Sequence, residues 1–242
     1  MKNIQIVYDF DGTLTPKSIP MFQILKENGF TEESFEKGIE EYRKLNDEDI
    51  YQSWFTNFLN VCNTVKLTNE NIALGAKDVE YNPGLLTYFD NVNDLANNES
   101  VSLKHYIVSS GIKEYLKKTT IASYIENIFA TTFKYDENNI ARGIDYLAKD
   151  QKKVDAIKNI NISNNREEND CTNLIYLGDG LTDYYAMDFV INHGGISILV
   201  TPNGNEPNEK LFNVSSAMFK ADYSNNSELY LYITDCIKKT IY

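Results

Sequence analysis

Residues 4–15 read IQIVYDFDGTLT. The first five, IQIVY, are apolar and β-branched with one polar interruption, the pattern of a strand covered on both faces of a parallel sheet. Two acids, Asp9 and Asp11, follow at the strand's C-terminal end, and Gly12 and Thr13 mark a sharp exit from it. From Pro16 to about residue 81 the pattern turns helical. Ser18 is placed to cap a first helix that stops at Gly29, Thr31 a second, and Asp47 a third containing Tyr51, Trp54, Phe55 and Phe58. Thr68 begins a short fourth. After Asn82 and Pro83, read as N-cap and first helical position, helices alternate with apolar strands. The strands are residues 105–108 (HYIV), about 127–130, 174–177 (LIYL) and 196–200 (ISILV). Helices are expected from residue 84 to about Ala96, after Ser110 and from about Lys149 to Ile160, and FKADYS (219–224) reads as a last strand entering a terminal helix. Asn161–Asp170 reads as a solvated loop. Strands separated by helices of this length predict an α/β, doubly wound (Rossmann-like), mostly parallel sheet with helices on both faces. It comprises residues 1–15 and 82–242, with a small all-α module inserted at 16–81.

In such a sheet, ligands bind beyond the C-terminal ends of the strands. Asp9 and Asp11 end the first strand, and LIYL runs into GDGLTD, which carries Asp179 and Asp183. Four acids converging on one crevice are costly unless a cation or protons compensate them, and an all-oxygen donor set favours Mg²⁺ over softer metals. The strand HYIV ends in Ser109, Ser110 and Gly111, where a hydroxyl and backbone amides at a helix start suit an anion. Lys149 sits at the start of the helix that leads to the acidic loop. A calcium-loop reading of DFDGT fails because the sixth position is Leu14 rather than Gly and the twelfth is Pro20 rather than Glu.

The composition narrows the partners. Thirty-five acids against 23 Lys and Arg give a formal charge of −12, and the pI is about 4.7. That balance argues against nucleic-acid and anionic-membrane binding. Three cysteines, Cys62, Cys171 and Cys236, form no CxxC pair, which excludes a disulfide framework and a structural zinc site. Asp9 interrupts the N-terminal apolar run, and no stretch approaches 18 apolar residues, so a soluble, cytoplasmic protein is expected. Hydrophobic residues at 42% supply a substantial core.

The order of these motifs resembles that of the haloacid dehalogenase (HAD) superfamily, in its phosphoserine phosphatase-like branch, with residues 16–81 as a helical cap between the first and second motifs. The resemblance implies phosphatase chemistry on a small-molecule phosphomonoester, with Asp9 as nucleophile and Asp11 as general acid and base. It implies Mg²⁺ held by the Asp9 carboxylate, the Asp11 carbonyl and Asp179, with Asp183 supporting directly or through water. Ser109 and a lysine would hold the phosphoryl oxygens. Three lysines stand near the helix start, and the run YLAKDQ resembles YTxKTQ of a bacterial subgroup, favouring Lys149, with Lys152 and Lys153 then solvated. Dehalogenase members lack the second acid, so Asp11 argues for phosphoryl transfer. A phosphotransferase or mutase sharing the intermediate, and a non-catalytic phosphate- or metal-binding protein, are the alternatives. The stripe Tyr51, Trp54, Phe55 and Phe58 reads first as helix-bundle core and second as pocket lining.

Overall fold

Strand β1 (Asn3–Tyr8) lies at the centre of a seven-stranded sheet. The computed structural model describes residues 2–16, 23–46, 49–202, 206 and 208–239. β1 pairs in parallel with β2 (Ser102–Ile112) on one side and β5 (Leu174–Gly178) on the other. Beyond β2 lies β3 (Ile125–Tyr135), and beyond β5 lie β6 (Ile196–Thr201) and β7 (Ala217–Lys220), all parallel. One strand was not legible in the sequence: β4 (Ala141–Tyr146) returns antiparallel to β3 and closes the order β4-β3-β2-β1-β5-β6-β7. A turn in which Asp136 Oδ1 accepts from the amides of Asn138 and Ile140 makes that hairpin.

The alternation of β1 explains the layers. Ile4, Ile6 and Tyr8 face one apolar cluster, under α4 (Leu85–Asn98) and α8 (Glu228–Lys239). Val7 faces the other, under α6 (Gln151–Ser163) and α7 (Tyr184–Asn192). Helices therefore cover both faces, as the sequence predicts. His105 also settles as core: its Nδ1 lies 3.0 Å from the Tyr8 hydroxyl and its Nε2 3.1 Å from Asn93 Oδ1. Asn93 Oδ1 only accepts, so Nε2 carries the proton, Nδ1 accepts from Tyr8, and Tyr88 in turn donates to Tyr8 at 3.0 Å. Burial pushes the imidazole down to about 3, which keeps it neutral.

Between β1 and α4 lie α1 (Gln23–Glu27), α2 (Glu32–Asn46) and α3 (Ile50–Val65). Thr31 caps α2 as expected, its hydroxyl accepting from Ser34 N at 3.1 Å. Ser18 and Asp47, read as the other caps, lie outside the described residues; Asp49 caps α3, accepting from the amides of Tyr51 and Gln52 at 2.9 and 3.1 Å. After Thr68 there is no α-helix but two 3₁₀ turns, Asn71–Ala73 and Ala76–Asp78. Phe35, Ile39, Phe55 and Phe58 are buried together with Ile112, Tyr115, Phe133 and Ala141 of the sheet side, so these helices share a core with the β2–β4 edge.

Three further boundaries shift. Asn82 is not an N-cap: α4 starts after Gly84, and the Asn82 amide turns inward to the first motif. β2 continues through Gly111 to Ile112, leaving only a four-residue helix after it. Asn161 and Asn164 are buried rather than solvated, Asn161 Nδ2 donating to Glu168 O and Asn164 Nδ2 to the Tyr106 hydroxyl, both at 2.9 Å. No described helix is long and apolar enough to cross a membrane.

Phe58 is fully buried, with its ring centre 5.1 Å from that of Trp54 and 5.9 Å from that of Phe133. Phe58→Ala leaves a cavity where the helices meet the sheet and is expected to lower unfolding free energy by about 3–5 kcal/mol. Urea denaturation checks this, and a loss under about 1 kcal/mol would show that the helices are not packed on the sheet through this ring.

Candidate functional site

The first motif leaves β1 as a tight turn. Asp9 N donates to Leu177 O at 2.9 Å, Phe10 N to Asp9 Oδ1 at 2.7 Å, and Leu14 N to Phe10 O at 2.8 Å. Gly12 has φ +80°, and any side chain there would run into the Asp179 carboxylate. Glycine thus meets both demands of the turn, its left-handed backbone and its contact with the second acidic loop. The turn is held from behind: Asn82 Nδ2 donates to Thr13 O and Thr15 O at 2.8 and 3.1 Å, and the Tyr223 hydroxyl donates to Thr13 O at 3.0 Å. Tyr223 comes from the FKADYS segment, to which the sequence reading gave no role.

The second acidic loop leaves β5, the strand beside β1. Asp183 Oδ2 accepts from the amides of Asp179 and Gly180 at 3.2 and 3.1 Å, and Oδ1 from Lys153 Nζ at 2.6 Å and the Tyr176 hydroxyl at 2.7 Å. Both Asp183 oxygens are therefore committed to shaping the loop and holding the lysine. Lys153 is fully buried and its Nζ also lies 3.1 Å from Asp9 Oδ2. Burial alone would lower the Lys153 pKa; Asp183 and then Asp9 outweigh it and keep the ammonium charged. Asp9 is pushed up to about 7, first by burial and then by Asp183, against the pull of Lys153. Asp179 is pushed up to about 8 by burial, Asp9 and Asp183, although Thr13 Oγ1 donates to its Oδ1 at 3.0 Å.

Asp9, Asp179 and Asp183 each bring a carboxylate oxygen within 4.8 Å of the others. Three carboxylates face one ammonium, which leaves negative charge uncompensated in a buried place. The all-oxygen donor set fits a hard divalent cation, and Asp9 and Asp179 are the pair that would hold it. In front of them is a cavity of about 140 Å³ lined by Asp9, Asp11, Asp179, Ser109 and Ser110. Tyr51 of α3 and Gly180 and Thr182 of the acidic loop complete its wall. Ser109 Oγ accepts from Gly111 N at 3.0 Å, and a Cβ on Gly111 would sit 3.4 Å from Asp11 Oδ2, so the chain passes close to the second acid.

Two expectations need correcting. Lys149 does not reach Asp9: its Nζ lies 2.7 Å from Asp49 Oδ2 and 3.5 Å from Asp150 Oδ2. The lysine against Asp9 is Lys153, which the sequence reading had placed in solvent. The cause is the start of α6 at Gln151, which leaves Lys149 in the preceding loop and puts Lys153 on the same helix face as Ala156, Ile157 and Ile160. That spacing of three, four and seven was visible in the sequence and would have identified it. Gly111, expected to open a helix with free amides, is in β2 with its amide bound to Ser109, and Ser110 Oγ is engaged with Ala148 O at 2.9 Å. Of the aromatic stripe, Phe55 and Phe58 are core, whereas Tyr51 is exposed at the cavity.

No family model matches the chain. An uncharacterized protein of Borreliella burgdorferi is 25% identical, over 97% of this chain and 96% of its own length. A HAD family hydrolase from Salmonella enterica serovar Typhi matches with a TM-score of 0.64 at 17% identity, over 95% of this chain and 70% of that one. A phosphoserine phosphatase solved as a phospho-aspartyl intermediate analogue matches with a TM-score of 0.65 at 16% identity, over 97% and 99%. The chain has the fold of the HAD-type hydrolases. The likeness of fold extends over 99% of the length of that phosphoserine phosphatase.

Without a cation, the protons on Asp9 and Asp179 favour the folded state. Their folded pKa values lie above the ordinary carboxylate value of 3.8, so this contribution is complete below that value and is lost as pH rises through about 7 and about 8. The melting temperature of chelator-treated protein is expected to fall between about pH 5 and pH 8, and millimolar Mg²⁺ to raise it more at the higher pH. Equal Mg²⁺-induced shifts at both pH values would show that these carboxylates do not bind the ion.

Proposed function

We propose that the protein is a Mg²⁺-dependent phosphatase that hydrolyses a small-molecule phosphomonoester through an aspartyl-phosphate on Asp9. The observation that carries this reading is the pairing of a strand-end carboxylate, Asp9, with the buried Lys153 ammonium, in a cavity that Asp11 also lines. The HAD-type fold and the phosphoserine phosphatase likeness support it. In this reading residues 16–81 form a cap, and residues 1–15 and 82–242 the catalytic core.

A carboxylate attacks phosphorus only if the charge on both partners is offset. Lys153 holds Asp9 in place and partly neutralises it. A divalent cation bound by Asp9 and Asp179, and by the Asp11 carbonyl as the family resemblance implies, would supply the remaining positive charge to the phosphoryl oxygens. An Asp9 oxygen forms a bond to phosphorus while the ester oxygen leaves, and Asp11 gives that oxygen its proton. Asp11, now a carboxylate, takes a proton from water; the hydroxyl adds to phosphorus, the Asp9–phosphorus bond breaks, and inorganic phosphate and free Asp9 result. Ser109, which lines the cavity, would bind a phosphoryl oxygen, and Tyr51 of α3 lines the same cavity. Lys149 has no part in these steps.

Asp9→Asn is expected to lower kcat for phosphate release by about 10⁴-fold or more with an unchanged circular dichroism spectrum. Lys153→Met is expected to lower it by about 10²–10⁴-fold and to destabilise the fold by about 3–5 kcal/mol, because Asp183 keeps a buried charge without its partner. A panel of phosphorylated metabolites, assayed with and without Mg²⁺, supplies the substrate. Near-normal turnover by Asp9→Asn removes the covalent mechanism, and phosphorylation of an added alcohol in place of phosphate release makes the protein a transferase.

A further inference from the structure

We propose that Lys149 and Asp49 are positioning residues whose ion pair sets Tyr51 as the wall of the cavity, and through it the affinity for the leaving-group end of the substrate. This inference rests on the phosphatase reading for its substrate and on the geometry for the positioning itself.

Asp49 does two things at once. Its Oδ1 caps α3 through the amides of Tyr51 and Gln52, and its Oδ2 takes Lys149 Nζ at 2.7 Å. The ammonium also lies 5.7 Å from the centre of the Tyr51 ring, in range of a cation–π contact. Tyr51 is therefore gripped from its backbone by Asp49 and from its ring by Lys149, and it is the described residue of α3 that lines the cavity. Thr182, on the acidic loop, lines the cavity with it.

The platform under Lys149 is rigid. Ser110 Oγ donates to Ala148 O at 2.9 Å, Ala148 N to Thr131 Oγ1 at 3.3 Å, and Thr131 Oγ1 to Ser110 O at 2.8 Å, which ties the loop to β2 and β3. Asp150 holds φ +49°, ψ −124°, a conformation that residues with side chains rarely adopt. The turn thus fixes Lys149 toward α3 and, one helical turn later, Lys153 toward Asp9. Lys149 and Asp49 are 22% and 51% exposed, so their pair is screened in part, and its effect on affinity is expected to be about two- to fivefold.

Asp49→Asn keeps a good helix cap and removes the charge, and Lys149→Gln removes the ammonium. Each is expected to raise KM about two- to fivefold with kcat changed less than about twofold. The double variant should be no worse than either single one, and Lys149→Arg should retain the native KM. Hydrogen exchange of residues 50–56 should rise in both single variants, and emission from Trp54, the chain's one tryptophan, should change with it. Unchanged exchange at residues 50–56, or raised exchange with native KM, overturns the proposal. If the wild-type chain releases phosphate from no ester, the phosphatase reading fails, and exchange alone then decides whether the pair positions Tyr51.

Discussion

The Lys153 ammonium, with no exposure to solvent, lies between Asp9 and Asp183, and the rest of the site is arranged around it. Placing one cation there offsets part of the repulsion between the two buried carboxylates that it touches. Asp183 fixes the lysine and, through its other oxygen, shapes the loop that carries Asp179. A single charge therefore sets the position of the Asp9 carboxylate and the course of a loop 170 residues away. The ammonium does not neutralise Asp9, Asp179 and Asp183 together, and burial first, with the neighbouring carboxylates second, pushes Asp9 and Asp179 up the pH scale.

The sheet makes that meeting possible. β1 and β5 are neighbours in register, with Tyr8 opposite Leu177, so the residues one and two places beyond, Asp9 and Asp179, emerge side by side. β2 lies on the other flank, where Ser109, two places beyond the Ile107 that stands opposite Tyr8, brings a hydroxyl to the same edge. The order of strands, not any local property of the loops, converts three distant sequence segments into one cavity.

The segments legible in the sequence were those in which chemistry and chain geometry coincide. IQIVY and LIYL are apolar runs that lead directly into acidic turns, and the pairing of two such turns at one sheet edge marks the site. The doubly wound architecture followed from their alternation with helices. Lys153 was harder, because a lysine on a buried helix face contradicts the usual exposure of lysine; only the spacing to Ala156, Ile157 and Ile160 pointed inward. Lys149 was misleading because it stands in the loop at the right edge of the sheet, where only the start of α6 decides which lysine turns back. β4 leaves little trace in the sequence because ARGIDY is a short edge strand that contains Gly143 and two charges, Arg142 and Asp145, in place of an apolar run. Asn82 and Tyr223 buttress the first motif from far along the chain, and such contacts have no local signature.

The same helix, α3, belongs to both the core and the site, and the two attachments differ in strength. Phe55 and Phe58 are buried against Phe133 of β3, and withdrawing each aromatic ring from that contact costs about 1.5–3 kcal/mol. The Asp49–Lys149 pair at the other end, partly exposed, contributes about 1 kcal/mol or less. Lifting the whole helix away from the sheet therefore costs several times more than loosening its first turn. A ligand that needed wider access to Asp9 would gain it with least cost at Tyr51, while the aromatic contacts hold the remainder of α3 on the sheet. Access to the site is thus separated from the stability of the fold along one helix, by the change from aromatic burial to a solvent-screened ion pair over less than two turns.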